Sequence, residues 1–168
     1  MIFIALGANL PSRAGSPRET LTAALADLQA AGVRILARSG FWETAPVPAS
    51  DQPWFVNAVA AVETDLDPAA LLALLHKIEA DYGRERLAVN GARTLDLDLI
   101  AYHDRVNPGP DAPILPHPRA HQRAFVLRPL AEVAAEVAPD WRHPASGEGI
   151  AALLAGLDPA QASRRLAD

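Results

Sequence analysis

The chain has 168 residues, half of them hydrophobic, with a net charge of −5 and no cysteine. Length and apolar content suit one compact domain with a sizeable core, and the missing thiols exclude disulfides, thiolate metal sites and cysteine nucleophiles. The acidic balance argues against a broad nucleic-acid surface, and no stretch approaches the roughly 20 apolar residues of a membrane span.

Met1 to Leu6 is an apolar run ending in Gly7-Ala8-Asn9, the pattern of a buried strand and turn. No basic region precedes it, so the expected location is the cytoplasm. Ser16-Pro17-Arg18-Glu19 has the form of a capping box with proline at the first helical position. Leu21, Leu25 and Leu28 then recur at helical spacing as far as Gly32. Val33 to Glu43 and Trp54 to Thr64 are rich in β-branched, aromatic and small apolar residues, which predicts two strands joined by the Pro-containing connection Ala45 to Pro53. Asp67-Pro68 opens a second helix whose face carries Leu71, Leu74, Leu75, Ile78 and Tyr82 before Gly83 stops it. After a polar loop, TLDLDLI predicts another strand.

This order, βαββαβ, predicts an α+β fold of the ferredoxin-like split βαβ type, with helices on one face of an antiparallel sheet and the other face open to a ligand. A Pro- and Gly-rich stretch, Asn107 to Pro118, leads to a C-terminal helical extension, Phe125 to Val137, interrupted early by Pro129. Residues 1–168 form a single expected domain, with the tail after Pro159 expected to be disordered at its end. No GxGxxG or GxxxxGK[ST] stretch is present, and Lys77 is the only lysine.

Chemistry concentrates around Asp96 and Asp98. On an extended strand they share a face with Thr94 and stand about 6 to 7 Å apart at Cα, while Leu95, Leu97 and Leu99 take the other face. Such a pair repels itself unless a cation sits nearby, and a divalent ion is one reading; an ordinary strand with a solvated polar face is the other. Arg84, Arg86 and Arg93 precede the pair in one loop, and Arg119 and Arg123 follow in a second polar segment. Guanidinium forks beside paired carboxylates suit a polyphosphate with its metal. His117 and His121 are four apart, but Pro116 and Pro118 disfavour a regular helix that would chelate zinc; His117 suits a hydrogen bond to a phosphate oxygen, while His76, His103 and His143 are expected to face solvent. Trp42, Trp54, Phe55 and Phe125 are candidates for core packing or for stacking on a flat ligand. Asn57, inside an apolar strand, either turns toward water or reads the polar edge of a heterocycle.

The ordered stretches IALGANL, FWETAP, DQPWFVNAV, Ile78-Glu79, GRER, GARTLDLDL and PHPRAHQRAFVLRPL resemble the 6-hydroxymethyl-7,8-dihydropterin pyrophosphokinases of folate biosynthesis, over nearly the whole chain to about Trp141. The resemblance implies transfer of the β,γ-pyrophosphoryl group of ATP to the pterin hydroxymethyl oxygen, with AMP as the other product. It also implies that Asp96 and Asp98 hold two magnesium ions, that Glu79, Arg93, His117 and Arg123 contact ATP, and that Arg84 and Arg86 belong to a mobile catalytic loop. The pterin would stack between Phe55 and Phe125, its polar edge read by Asn57 and by the backbone around Thr44 and Val47. The two substrates are the expected partners, with no nucleic acid, no membrane and a monomeric chain. Two departures from the family pattern stand out: Leu87 to Ala92 lacks a tryptophan that some members carry, and Pro118 replaces an aromatic residue. A non-catalytic ligand-binding module and a metal-dependent phosphohydrolase are the rival classes.

Overall fold

The structure, a computed structural model, describes residues 1–46, 48–83 and 92–168. Its centre is an antiparallel sheet of β1 (Ile2–Ala8), β2 (Arg34–Arg38), β3 (Trp42–Thr44), β4 (Phe55–Glu63), β5 (Asp96–Tyr102) and β6 (Ser163–Arg165). The path runs β5-β1-β4-β3-β6, and β2 also pairs with β4. Both predicted helices form where their caps place them. Helix α1 (Pro17–Ala30) starts on Ser16, whose Oγ accepts the Glu19 N–H at 3.2 Å while Glu19 Oε1 accepts the Ser16 N–H at 3.1 Å. Helix α2 (Pro68–Asp81) starts on Asp67, whose Oδ1 accepts the Ala70 N–H at 2.8 Å. Caps of this kind contribute about 1 kcal/mol each.

Leu21, Leu25 and Leu28 of α1 and Leu71, Leu75 and Ile78 of α2 are buried against one sheet face, which supplies Ile2, Ile4, Leu6, Ala60, Val62, Leu95, Leu97 and Leu99. The three leucines of TLDLDLI therefore point into this core, as their alternation predicts. The α+β class and the antiparallel sheet stand.

Four features depart from the sequence reading. The opposite sheet face is only partly open: helix α3 (Ala124–Val137) covers Phe3, Val59, Ala61 and Ile100 with Val126, Leu127, Leu130 and Val133, because those strand residues are as apolar as the ones below. Pro129 does not interrupt α3; it lies inside the helix and is buried with that apolar face, whose burial offsets the missing backbone bond. The predicted strand Val33 to Glu43 is two strands, broken where Ser39 bridges to β4 with its N–H on the Val59 carbonyl (2.9 Å) and its Oγ accepting the Val59 N–H (3.0 Å). The tail adds a strand that the sequence reading did not place: after the short helix α4 (Ile150–Ala155), β6 pairs with β3, and Leu166 packs on the main core.

Candidate active site

Register assembles the site. Gly7 on β1 lies opposite Asn57 of β4 and Asp96 of β5; Ala5 lies opposite Val59 and Asp98. With side chains alternating, all six share one face. Farther along it, Phe3, Ala61 and Ile100 are buried beneath α3. Strands β1 and β5 thus pass from an apolar half under the helix to a half carrying small or polar side chains, and β4 passes to Asn57 and Phe55. The cavity forms where α3 begins.

Ala5, Leu6 and Gly7 form the middle of this cavity, between Phe55 and Asn57 from β4 and Asp96 and Asp98 from β5; Ala45, Arg93, Arg123 and Phe125 complete its lining. Asn57 is 5% exposed and donates from Nδ2 to Thr44 Oγ1 at 2.6 Å, so its amide is held rather than turned toward water. Thr44, itself buried, thereby fixes which edge the amide presents.

The charged side of the cavity is electrostatically coupled. Burial, then Arg119, lowers the Arg123 pKa, while Asp98 and Asp96 pull it the other way. His117 lies just outside the cavity lining, half-buried. Burial, the Arg123 guanidinium and that of Arg119 push its pKa down to about 4, against a smaller opposing effect of Asp96. Its Nδ1 accepts the Arg119 N–H at 3.2 Å, so the neutral ring carries its proton on Nε2. A neutral donor is what results at physiological pH.

The donor set fits magnesium. Two carboxylates on one strand face offer hard oxygen ligands, and among the described residues no third His, Cys, Asp or Glu joins them into a cluster. Magnesium is commonly held by one or two carboxylates, its remaining positions filled by phosphate oxygens and water.

A profile of the 7,8-dihydro-6-hydroxymethylpterin-pyrophosphokinase family matches residues 3–135. The chain belongs to this family. A 2-amino-4-hydroxy-6-hydroxymethyldihydropteridine pyrophosphokinase of Methylorubrum extorquens is 37% identical over 163 residues, 96% of each chain. One from Haemophilus influenzae is 41% identical over 136 residues, covering 80% of this chain and 82% of its own. The folic acid synthesis protein fol1 of Pneumocystis carinii matches at 35% identity over 89% of this chain, which spans only 19% of that longer protein. A solved chain described as HPPK-DHPS in complex with substrates superposes with a TM-score of 0.64 at 13% identity, over 90% of this chain and 42% of that one, and supports the fold.

For this pyrophosphokinase family member, the residues singled out in the sequence separate into four groups. Phe55, Asn57, Arg93, Asp96, Asp98, Arg123 and Phe125 meet at the cavity. Thr44 and His117 are not part of its lining: Thr44 holds the Asn57 amide, and His117 is within the electrostatic reach of Arg123 and Asp96. Glu79 lies elsewhere: it is 1% exposed on α2, and its Oε2 accepts the Leu97 N–H at 2.9 Å, so it secures the strand that carries the aspartates instead of lining the cavity. Val47, Arg84 and Arg86 lie outside the described residues. Smaller expectations also change. Strand β5 begins at Asp96, leaving Thr94 in a bend with its Oγ1 buried and without a hydrogen-bond partner among the described residues. His143 is buried against His121 and Trp141 instead of facing solvent, and Trp54 is exposed instead of core.

Sequence reasoning passed over Ala5, Leu6, Gly7 and Ala45, and above all Asn9. Asn9 is 3% exposed. Its Nδ2 donates to Gln52 Oε1 and to the Pro53 carbonyl, both at 2.9 Å, and its Oδ1 accepts the Arg93 N–H at 2.7 Å. One amide thus joins the connection before β4 to the segment that presents Arg93. The signal was a polar residue directly after a buried strand in IALGANL. Asn9→Ala is expected to cost about 1 to 3 kcal/mol of stability, from three lost hydrogen bonds and buried groups left unpaired. It should also lower kcat/KM for both substrates by about tenfold or more. Urea unfolding alongside steady-state kinetics checks this, and a loss confined to one substrate would contradict the bridging role.

Proposed function

We propose that the chain transfers the β,γ-pyrophosphoryl group of ATP to the hydroxymethyl oxygen of 6-hydroxymethyl-7,8-dihydropterin, releasing AMP, as a step of folate biosynthesis. The observation that carries this reading is a single cavity lined on one side by Phe55, Phe125 and a fixed Asn57 amide, and on the other by Asp96, Asp98, Arg93 and Arg123. Such a lining suits a flat, polar-edged ring next to a polyphosphate.

Phe55 and Phe125 would sandwich the pterin, with Asn57, aligned by Thr44, pairing with its polar edge. Asp96 and Asp98 would hold two magnesium ions, which when bound supply charge neutralisation for the phosphates. Arg93 and Arg123 would orient phosphate oxygens, and neutral His117 would donate from Nε2. Arg84 and Arg86 are proposed to reach the phosphates from the catalytic loop. Glu79 contributes by holding β5, a support role in place of ATP contact. No side chain is assigned as general base: phosphoryl transfer needs chiefly positioning and electrostatic stabilisation. The same proposal has the chain acting as a cytoplasmic monomer, without nucleic-acid or membrane partners; among the described residues no helix is long and apolar enough to cross a membrane.

Incubation with ATP, magnesium and the pterin, followed by identification of the nucleotide, tests the reading. AMP formed only in the presence of pterin is expected. ADP as the pterin-dependent product would overturn it, inorganic phosphate released without pterin would favour the phosphohydrolase, and no turnover with intact binding would favour the non-catalytic module.

A further inference from the structure

The family profile ends at residue 135, yet Gln161 and Ala162 bond to the segments that line the cavity. Strand β6 pairs with β3 so that Thr44 faces Ser163 and Trp42 faces Arg165, and the Ala162 carbonyl accepts the Ala45 N–H at 3.2 Å. Ala45 lines the cavity. One residue earlier, Gln161 Oε1 accepts the Ala124 N–H at 2.9 Å and Gln161 Nε2 donates to the Gln122 carbonyl at 2.9 Å. Ala124 is the first residue of α3 and sits between Arg123 and Phe125, both of which line the cavity. Arg123, at the N-cap position, makes no side-chain cap of its own, so the opening turn of α3 takes a partner from the tail.

Two consecutive tail residues therefore tie together two sides of one cavity. The tail is itself anchored: the Leu166 N–H donates to the Phe41 carbonyl at 2.8 Å, and Arg165 Nε lies 2.6 Å from Glu132 Oε1 on α3. We propose that Gln161 is a positioning residue for the pterin site, the C-terminal strand acting as a strap that holds the start of α3, and with it Phe125, at a set distance from Phe55. The proposal rests on the reading of this cavity as the pterin site.

The test compares the full chain with Gln161→Ala and Gln161→Glu, measuring equilibrium binding of 6-hydroxymethyl-7,8-dihydropterin and urea unfolding of each. Gln161→Ala removes both bonds, whereas Gln161→Glu gives up the donor to the Gln122 carbonyl but keeps an acceptor for the Ala124 N–H, the bond that holds the start of α3, and places its negative charge at a helix N-terminus, where it is favoured. The expected result is a pterin Kd raised about tenfold in Gln161→Ala and restored to within about twofold of the parent in Gln161→Glu. Unchanged pterin affinity in Gln161→Ala would overturn the strap. So would equal losses in both variants, which would mark a general effect of the substitution. A parent chain that forms AMP from ATP and pterin while the variants bind as it does refutes the strap alone; a parent that binds no pterin removes the reading of the cavity and the strap with it.

Discussion

Asp98→Ala is expected to lower pyrophosphoryl transfer by at least about a thousandfold, roughly 4 kcal/mol of transition-state stabilisation, while leaving the fold in place. Asp98 sits opposite Ala5 and points to the cavity face, and the neighbours that bury β5 are Leu97 and Leu99 on the other face. Removing the carboxylate takes nothing from that core, and it relieves repulsion with Asp96 in the empty chain. With substrates present the sign reverses. Under the proposed reading the two carboxylates on one face would provide the protein's share of the metal ligands, and with one gone an ion near the phosphates would keep a single anchor. Arg123 loses an opposing charge as well, since Asp98 and Asp96 both act on it. Asp96→Ala, beside Gly7, should behave alike. Single-turnover rates over a range of magnesium concentrations, with urea midpoints for each variant, check the pair. Near-parental turnover at ordinary magnesium in either variant would remove the metal assignment, and a large fall in the urea midpoint would show the carboxylate to be structural.

The parts of this arrangement legible in the sequence are those set by local rules. The capping box at Ser16 and the Asp67-Pro68 start depend on residues three apart, and the alternation of LDLDL depends on residues two apart; both survive folding unchanged. What escaped was decided by distant partners. Ser39 splits a strand because its hydroxyl finds the Val59 N–H twenty residues away, and the tail becomes a strand because β3 offers a free edge. Pro129 argues locally for a break, but its helix gains more by covering Phe3, Val59 and Ile100 than one missing backbone bond costs. The candidate site divides the same way. Aspartates, arginines and aromatics announce themselves by chemistry, whereas Asn9 and Gln161 matter through what they connect. Glu79, recognised by its place beside Ile78, shows the converse: its position at the buried end of α2 directs it to the backbone of β5.

Gly7→Ala, one methyl group in the middle of β1, is expected to weaken pterin binding by about ten- to a hundredfold, roughly 1.4 to 2.8 kcal/mol, with little change in stability. A Cβ built at this position meets Asn57 Oδ1 at 2.7 Å, closer than real contacts allow. The glycine is needed for space, since its neighbour across the strand is a buried amide already committed to Thr44 at 2.6 Å. Asn57 must swing away or the strands must part, and the first is cheaper because only one side-chain hydrogen bond is at stake. The amide then no longer presents its edge to the cavity. Stability is nearly spared because alanine loses less conformational freedom on folding than glycine, worth about 0.5 to 1 kcal/mol within a strand, which offsets the displaced bond. Calorimetric titration with pterin measures the affinity, and the double variant Gly7→Ala/Asn57→Ala isolates the cause. If the methyl acts through Asn57, Gly7→Ala should add almost nothing once Asn57 is already alanine, giving strong coupling in the cycle. Additive losses would mean that the methyl blocks the ring directly and that the amide was never its target.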